Sequence, residues 1–313
     1  MVNATRVSHI TLAAYFEAGI LKYLLFVLLM LLYILIVFSD VFLIVVITTN
    51  RSLHEPMYMF LCSLFVNELF GSTGLFPFLM VQILSDIHTV STSFCFLQIF
   101  QVYSYSHVEF CNLAVMSYDR YLAICFPLQY NTRMTLNKVA MLVALLWIYP
   151  LFEVAVMLSL TVRLELCGNS INKVYCDNYS TVKLACSDTS VNNIFGIIYI
   201  FTIIFGVVIL IIFTYMRILK VCFSGSKQTR QKAVSTCTPH LASLLNFTFG
   251  CFFEMVQSRF NLSSVPNMLR IFLSLYFLTC QPLFTPVLYG LQLSQLRSFC
   301  KHLVFGKKVG SHL

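Results

Sequence analysis

Residues 107–125 read HVEFCNLAVMSYDRYLAIC. The stretch is mostly apolar, yet it holds a carboxylate, Glu109, in its middle and an acid–base couple, Asp119 and Arg120, near its end. Ionisable groups inside a bilayer cost several kcal/mol unless they are paired or hydrated, so each one is a functional hypothesis. Glu109 and Arg120 are 11 residues apart. On a helix that is three turns, which puts them on one face about 16 Å apart along the axis. Arg120 then lies at a membrane mouth and Glu109 near mid-membrane. Asp119 can neutralise its neighbour, although on charge alone Arg120 also fits a snorkelling juxtamembrane arginine.

The rest of the chain supports a lipid environment. Of 313 residues, 59% are hydrophobic and only 10% charged, with a mean hydropathy of +0.84. Soluble domains carry about 25% charged residues. Runs near the roughly 20 residues needed to cross a bilayer fall at 23–49, 57–80, 95–118, 139–162, 194–219, 236–258 and 268–290. The fold expected is an all-α membrane protein, a seven-transmembrane helix bundle in one domain over 1–313, with a short amphipathic C-terminal helix. The fourth and sixth spans read as the most polar. An odd number of spans puts the termini on opposite faces.

Cationic loops face the cytoplasm. With the N-terminus (about 1–22) outside and the tail (about 291–313) inside, thirteen of the 20 Lys and Arg residues fall inside. The net charge of +8 is then cytoplasmic-face charge suited to anionic membrane lipid and an intracellular partner, not to nucleic acid. The first apolar run is of full span length and has no convincing small-residue cleavage site, so it is read as a retained helix. The sequon at Asn3 agrees with this orientation, and those at Asn178 and Asn261 also lie outside but are weaker; Asn50 and Asn246 head chance matches.

Most of the 12 cysteines sit singly within spans as small apolar residues. Cys95, Cys167, Cys176 and Cys186 lie on the outer side, where four thiols read as two disulfides. Sequence alone allows three pairings. Cys300, in the basic tail, is a palmitoylation candidate.

Asp40 and Glu68 fall at a depth comparable to that of Glu109 in the first and second spans. Carboxylates converging in low dielectric cannot all ionise, so the three form a candidate pocket for a cation and water, or else hold protons.

A family resemblance enters through MSYDRYLAICFPLQY (116–130), which resembles the inner end of the third span in odorant receptors, a branch of the rhodopsin-like (class A) G-protein-coupled receptors. LHEPMYMFL (53–61), LACSDTS (184–190), KAVSTCTPHL (232–241) and PLFTPVLYG (282–290) carry further family marks in the right order. The resemblance implies that Asp119, Arg120 and Tyr121 form the G-protein switch. It also implies that Tyr215 joins the seventh-span switch at Pro286 and Tyr289, and that Cys95–Cys176 and Cys167–Cys186 are the disulfides. Glu68 and Glu109 resemble sodium-pocket acids, so a sodium ion is the one cofactor implied. Two departures stand out: Asp40 replaces a usual Asn, and Thr285 replaces the Asn expected before Pro286.

Ligand pockets in such bundles open outward between spans three, five, six and seven. The candidates here are Tyr103, Ser106 and His107, with Tyr199 and Ile203 on the fifth span and Phe252, Phe253 and Glu254 on the sixth. Arg259 closes the sixth span where fish-like (class I) odorant receptors carry an Arg, and a guanidinium above an apolar cavity can clamp a carboxylate. The function implied is an odorant receptor at the plasma membrane that binds a small odorant and activates a stimulatory, olfactory-type heterotrimeric G protein through cyclic AMP. The alternative is a proton- or ion-coupled transporter using the intramembrane acids. No His-Glu-x-x-His or Gly-x-Ser-x-Gly motif is present, so no enzyme is expected.

Overall fold

The computed structural model describes residues 7–15, 19–224, 227–259 and 265–292. Within them run seven long helices: α1 (Leu21–Thr49), α2 (Pro56–Leu84), α3 (Thr92–Cys125), α4 (Leu136–Val162), α5, α6 (Lys227–Arg259) and α7 (Asn267–Gln292). Helix α5 starts as Ser190–Phe201, passes through a π-helical stretch at Thr202–Val208 and ends as Ile209–Ser224. Each helix contains one expected span. The sequons at Asn3 and Asn261, Cys300 and the C-terminal amphipathic helix lie outside the described residues.

Local chemistry sets the helix starts. Pro56 opens α2 at a position where its missing N–H costs nothing. The Ser91 hydroxyl caps α3 by accepting from the Phe94 amide at 3.3 Å. Before α5, the Asp188 carboxylate accepts from the Ser190 amide at 2.9 Å and its hydroxyl at 2.6 Å. Those two bonds hold the Asp188 carboxyl below its ordinary range.

The bundle is arranged for lipid. On α1 the apolar side chains of Leu24, Leu28, Leu31, Leu35 and Phe38 are all exposed. Their spacing draws one stripe down the helix, while Ile36, Asp40, Leu43 and Ile47 are buried on the other face. The polar groups go inward: Asn67, Glu68, Glu109, Asn112, Asp119, His240, Gln281 and Thr285 are all fully buried. Helices α1, α2, α4, α5 and α7 are long and apolar enough to cross a membrane. The fourth span is therefore not among the most polar, and α3 takes its place beside α6. Helix α3 packs against α2, α4, α5 and α6, so its polar side chains meet protein rather than lipid.

Close helix contacts need small residues. A Cβ on Gly250 of α6 would lie 2.6 Å from the Phe277 Cβ of α7 and 3.0 Å from its Cα.

The all-α expectation misses one element. Strands β1 (His9–Leu12), β2 (Thr89–Ser91) and β3 (Ser170–Ile171) form a small sheet in the order β2-β1-β3. The β1–β2 pair is antiparallel, with Ile10 opposite Val90, and β1–β3 is parallel, with Thr11 opposite Ser170. Ile10 and Leu12, two residues apart, both point into the core. Disulfides Cys95–Cys176 and Cys167–Cys186 lie at the same end of the bundle, with Cα separations of 5.4 and 5.5 Å. Outside the disulfides, Cys62, Cys111, Cys125, Cys237, Cys251 and Cys280 all lie in the helices.

Candidate functional site

Beneath the loop that carries Cys176 is a cavity of about 250 Å³. This is below the roughly 300–1,000 Å³ of drug-sized pockets, which suits a small ligand. Its body is apolar, with Val102 and Phe110 from α3, Ile203 from α5 and Phe277 from α7. Helical spacing explains the α3 contribution: Tyr103, Ser106 and Phe110 follow each other at three and four residues and share a face.

Of the nine residues the sequence nominated for the ligand, seven line this cavity: Tyr103, Ser106, Tyr199, Ile203, Phe252, Glu254 and Arg259. His107 and Phe253 do not. His107 is one residue past Ser106, about 100° further round the helix. It is buried against α4, with Nδ1 3.4 Å from Glu153 Oε2 and its ring edge-on to Tyr149. Phe253 is likewise turned off the cavity face that its neighbours Phe252 and Glu254 share.

The sequence missed the loop wall: Tyr175, Asp177, Asn178 and Tyr179 line the cavity as well. Only their closeness to Cys176 hinted at this. The loop is fixed to α3 twice, by the Cys95–Cys176 disulfide and by the Cys176 amide donating to Gln98 Oε1 at 2.8 Å. Asn178 is buried, and its Oδ1 accepts from the Thr161 hydroxyl at 2.7 Å. The sequon asparagine thus also serves as a structural residue of the loop.

Charged groups gather at this loop end. The Arg259 guanidinium stacks over Tyr179 at 4.3 Å, and among the described residues it has no ion-pair partner. Glu254 Oε1 accepts from Lys173 Nζ at 2.6 Å and from the Tyr175 hydroxyl at 2.7 Å. Burial first, then the charge of Glu254, raise the Tyr175 phenol well above its ordinary range, so it stays a donor. Asp177 caps a short helix (Asn178–Val182) by accepting from the Ser180 amide at 3.1 Å.

Deeper in the bundle, Glu109 is held by amides. Asn67 donates to one oxygen at 2.9 Å and Gln281 to the other at 3.0 Å. Gln281 also donates to Ser243 at 2.7 Å and accepts from Asn246 at 2.9 Å, which joins α3, α6 and α7. Asp40 and Glu68 are fully buried, and among the described residues neither oxygen of either has a hydrogen-bond partner. The Thr285 hydroxyl lies beside Glu68 but donates to the Gln281 carbonyl at 3.0 Å. Among the described residues no group of three or more His, Cys, Asp or Glu side chains is placed to hold a metal ion. Asp40, Glu68 and Glu109 lie close enough to act on one another electrostatically.

At the opposite end, Arg120 pairs with its neighbour Asp119, and the Tyr130 hydroxyl donates to the second Asp119 oxygen at 2.7 Å. Tyr121 packs edge-on to Phe126. Tyr215 is hydrogen-bonded to His240, whose other ring nitrogen is 2.8 Å from the Leu113 carbonyl. The sequence pointed Tyr215 at the seventh-span switch; here its bond is to α6, and the Tyr289 hydroxyl is buried with no hydrogen-bond partner among the described residues. Pro286 lies inside α7, one turn from Tyr289.

A cavity closed by a disulfide-tethered loop at one end, and a buried acid–arginine pair at the other, frame a seven-helix bundle. The family model described as "Olfactory receptor" matches residues 29–307. The chain belongs to the olfactory receptor family. Mouse (Mus musculus) olfactory receptor 4E2 is 30% identical over 96% of this chain and 97% of its own length. Human (Homo sapiens) olfactory receptor 52B2 is 32% identical over 89% and 86%. Squid rhodopsin has the same fold, with a TM-score of 0.73 over 93% of this chain and 82% of its own, at 15% identity. The protein is therefore a multi-pass membrane receptor of the rhodopsin-like class, odorant-sensing and G-protein-coupled, and not an enzyme. The family assignment sets the transporter alternative aside.

Proposed function

We propose that the receptor lies in the plasma membrane with its N-terminus outside, binds a small anionic odorant in the cavity, and drives a stimulatory G protein to raise cyclic AMP. The observation that carries the ligand class is Arg259. It lines the cavity, stacks on Tyr179 and has no carboxylate partner among the described residues. A guanidinium above an apolar chamber favours a carboxylate through paired hydrogen bonds. The orientation rests on the excess of Lys and Arg in the loops at the Arg120 end. The Arg259 position is also what supports the class I type.

Signalling needs no chemistry. A ligand that binds the signalling conformer better than the resting one shifts the population, and moving from 1% to 99% takes about 5.5 kcal/mol of differential affinity. The switch then frees Arg120 from Asp119 to meet the G protein. A sodium ion, which the resemblance of Glu68 and Glu109 to sodium-pocket acids implies, would find open oxygens at Asp40 and Glu68 rather than at Glu109, whose oxygens the amides occupy.

The test is a panel of small carboxylic acids, aldehydes and alcohols in a cyclic-AMP reporter cell, with Arg259→Ala beside the unaltered receptor. Acids should be the best agonists, and their potency should fall about tenfold or more in the variant, the usual cost of a lost charge-assisted contact. Full acid potency in the variant refutes the clamp.

A further inference from the structure

A second polar point in the same cavity extends that reading. Glu254 lines the cavity, and its side chain is only 13% exposed. One of its oxygens is taken by Lys173 and Tyr175. The other, Oε2, is buried with no hydrogen-bond partner among the described residues. Lys173, 5% exposed, already balances the carboxylate charge. What is left over on this cavity-lining side chain is therefore a single unmet acceptor, which a ligand donor reaches once the carboxylate turns toward the cavity, and not an unmet negative charge.

An unmet buried acceptor is costly, and a ligand donor that reaches it relieves that cost. Since Lys173 supplies the counter-charge, a neutral O–H is the suitable donor; an ammonium would bring a second positive charge beside the first. Arg259 is five residues further along the same helix and offers only donors. The two residues are thus complementary in what they ask of a ligand: one wants an anion, the other a hydroxyl.

We infer that Glu254 is a specificity-determining acceptor and that the preferred ligand class is small hydroxy-carboxylic acids, with the carboxylate at Arg259 and the hydroxyl at Glu254. The inference rests on the cavity being the ligand site. Sites built around a hydrogen bond to a ligand hydroxyl discriminate strongly against the analogue that lacks it.

The experiment compares matched pairs in the cyclic-AMP reporter: a straight-chain acid and its hydroxy analogues, and an alcohol and its methyl ether. The receptor variants are Glu254→Gln, the double variant Lys173→Met with Glu254→Leu, and Ser106→Phe, which fills the cavity. The double variant removes both charges, so neither is left buried alone if Glu254→Leu by itself fails to fold. The hydroxy member of at least one pair should be about tenfold or more potent in the unaltered receptor. That ratio should fall towards one in the double variant and be kept in part by Glu254→Gln, which retains an acceptor oxygen. Equal potency within every pair in the unaltered receptor, or a ratio unchanged by the double variant, overturns the inference. If Ser106→Phe leaves every response intact, the ligand lies elsewhere and the cavity reading falls with it. If Ser106→Phe abolishes the responses while the hydroxyl ratio ignores Glu254, this inference alone fails.

Discussion

Tyr215 on α5 and His240 on α6 are hydrogen-bonded to each other, and the second nitrogen of His240 reaches the Leu113 carbonyl of α3. One imidazole thus ties the inner halves of three helices together. Both residues are buried, so water cannot replace either bond. In the same structure Arg120 is occupied by Asp119. In this arrangement α6 is held against α3 while Arg120 is paired.

Replacing His240 with alanine strands the buried Tyr215 hydroxyl, at about 1–3 kcal/mol, and removes the second bond to the Leu113 carbonyl, which keeps its helical partner within α3. The expected result is higher ligand-independent cyclic AMP, because α6 is released. Tyr215→Phe, which loses one bond and keeps the ring, should act in the same direction and more weakly. Basal reporter activity normalised to surface receptor measures both; unchanged or lowered basal activity in both variants refutes the tie.

Arg120→Ala should abolish agonist-dependent cyclic AMP without loss of surface expression. Removing the guanidinium leaves Asp119 with the Tyr130 hydroxyl as a donor at 2.7 Å, so the local fold keeps a partner for the acid. Surface immunostaining alongside the reporter separates the two effects.

Glu109 variants should be graded. Glu109→Gln keeps one acceptor oxygen but presents an amide donor to a second donor, since both Asn67 and Gln281 approach through N–H groups. Glu109→Ala loses both bonds and leaves one buried N–H unmet on each amide, at about 1–3 kcal/mol each, while Asn67 keeps its bond to the Tyr105 carbonyl and Gln281 its bond to Ser243. Thermal stability of detergent-solubilised receptor should fall in the order unaltered, Gln, Ala.

Gly250→Ala should lower the yield of folded receptor. Its methyl would sit 2.6 Å from the Phe277 Cβ and 3.0 Å from the Cα, and backbone cannot yield as a flexible side chain does. Gly206→Ala is the control: nothing lies within 4 Å of that Cβ, and alanine favours helix by about 1 kcal/mol. Equal surface expression of the two variants would show that the α6–α7 contact is looser than described.

The amino-acid sequence by itself determined the number and approximate limits of the spans, because long apolar runs can meet their backbone hydrogen bonds in lipid only as helices. It also placed Tyr103 and Ser106 on one face of α3, since helical spacing is a local property. Composition did not reveal that α3 would be the polar centre of the bundle and α4 a lipid-facing helix, because which face meets protein depends on every neighbour at once. Nor could it pair Lys173 with Glu254, 81 residues apart, or bring His240 to Leu113 across 127. Those contacts exist because the disulfide-anchored loop folds back over the cavity and because α6 lies against α3. Asn178 shows the same limit from the other side: its sequon is legible in three letters, but its burial is a fact of the folded loop.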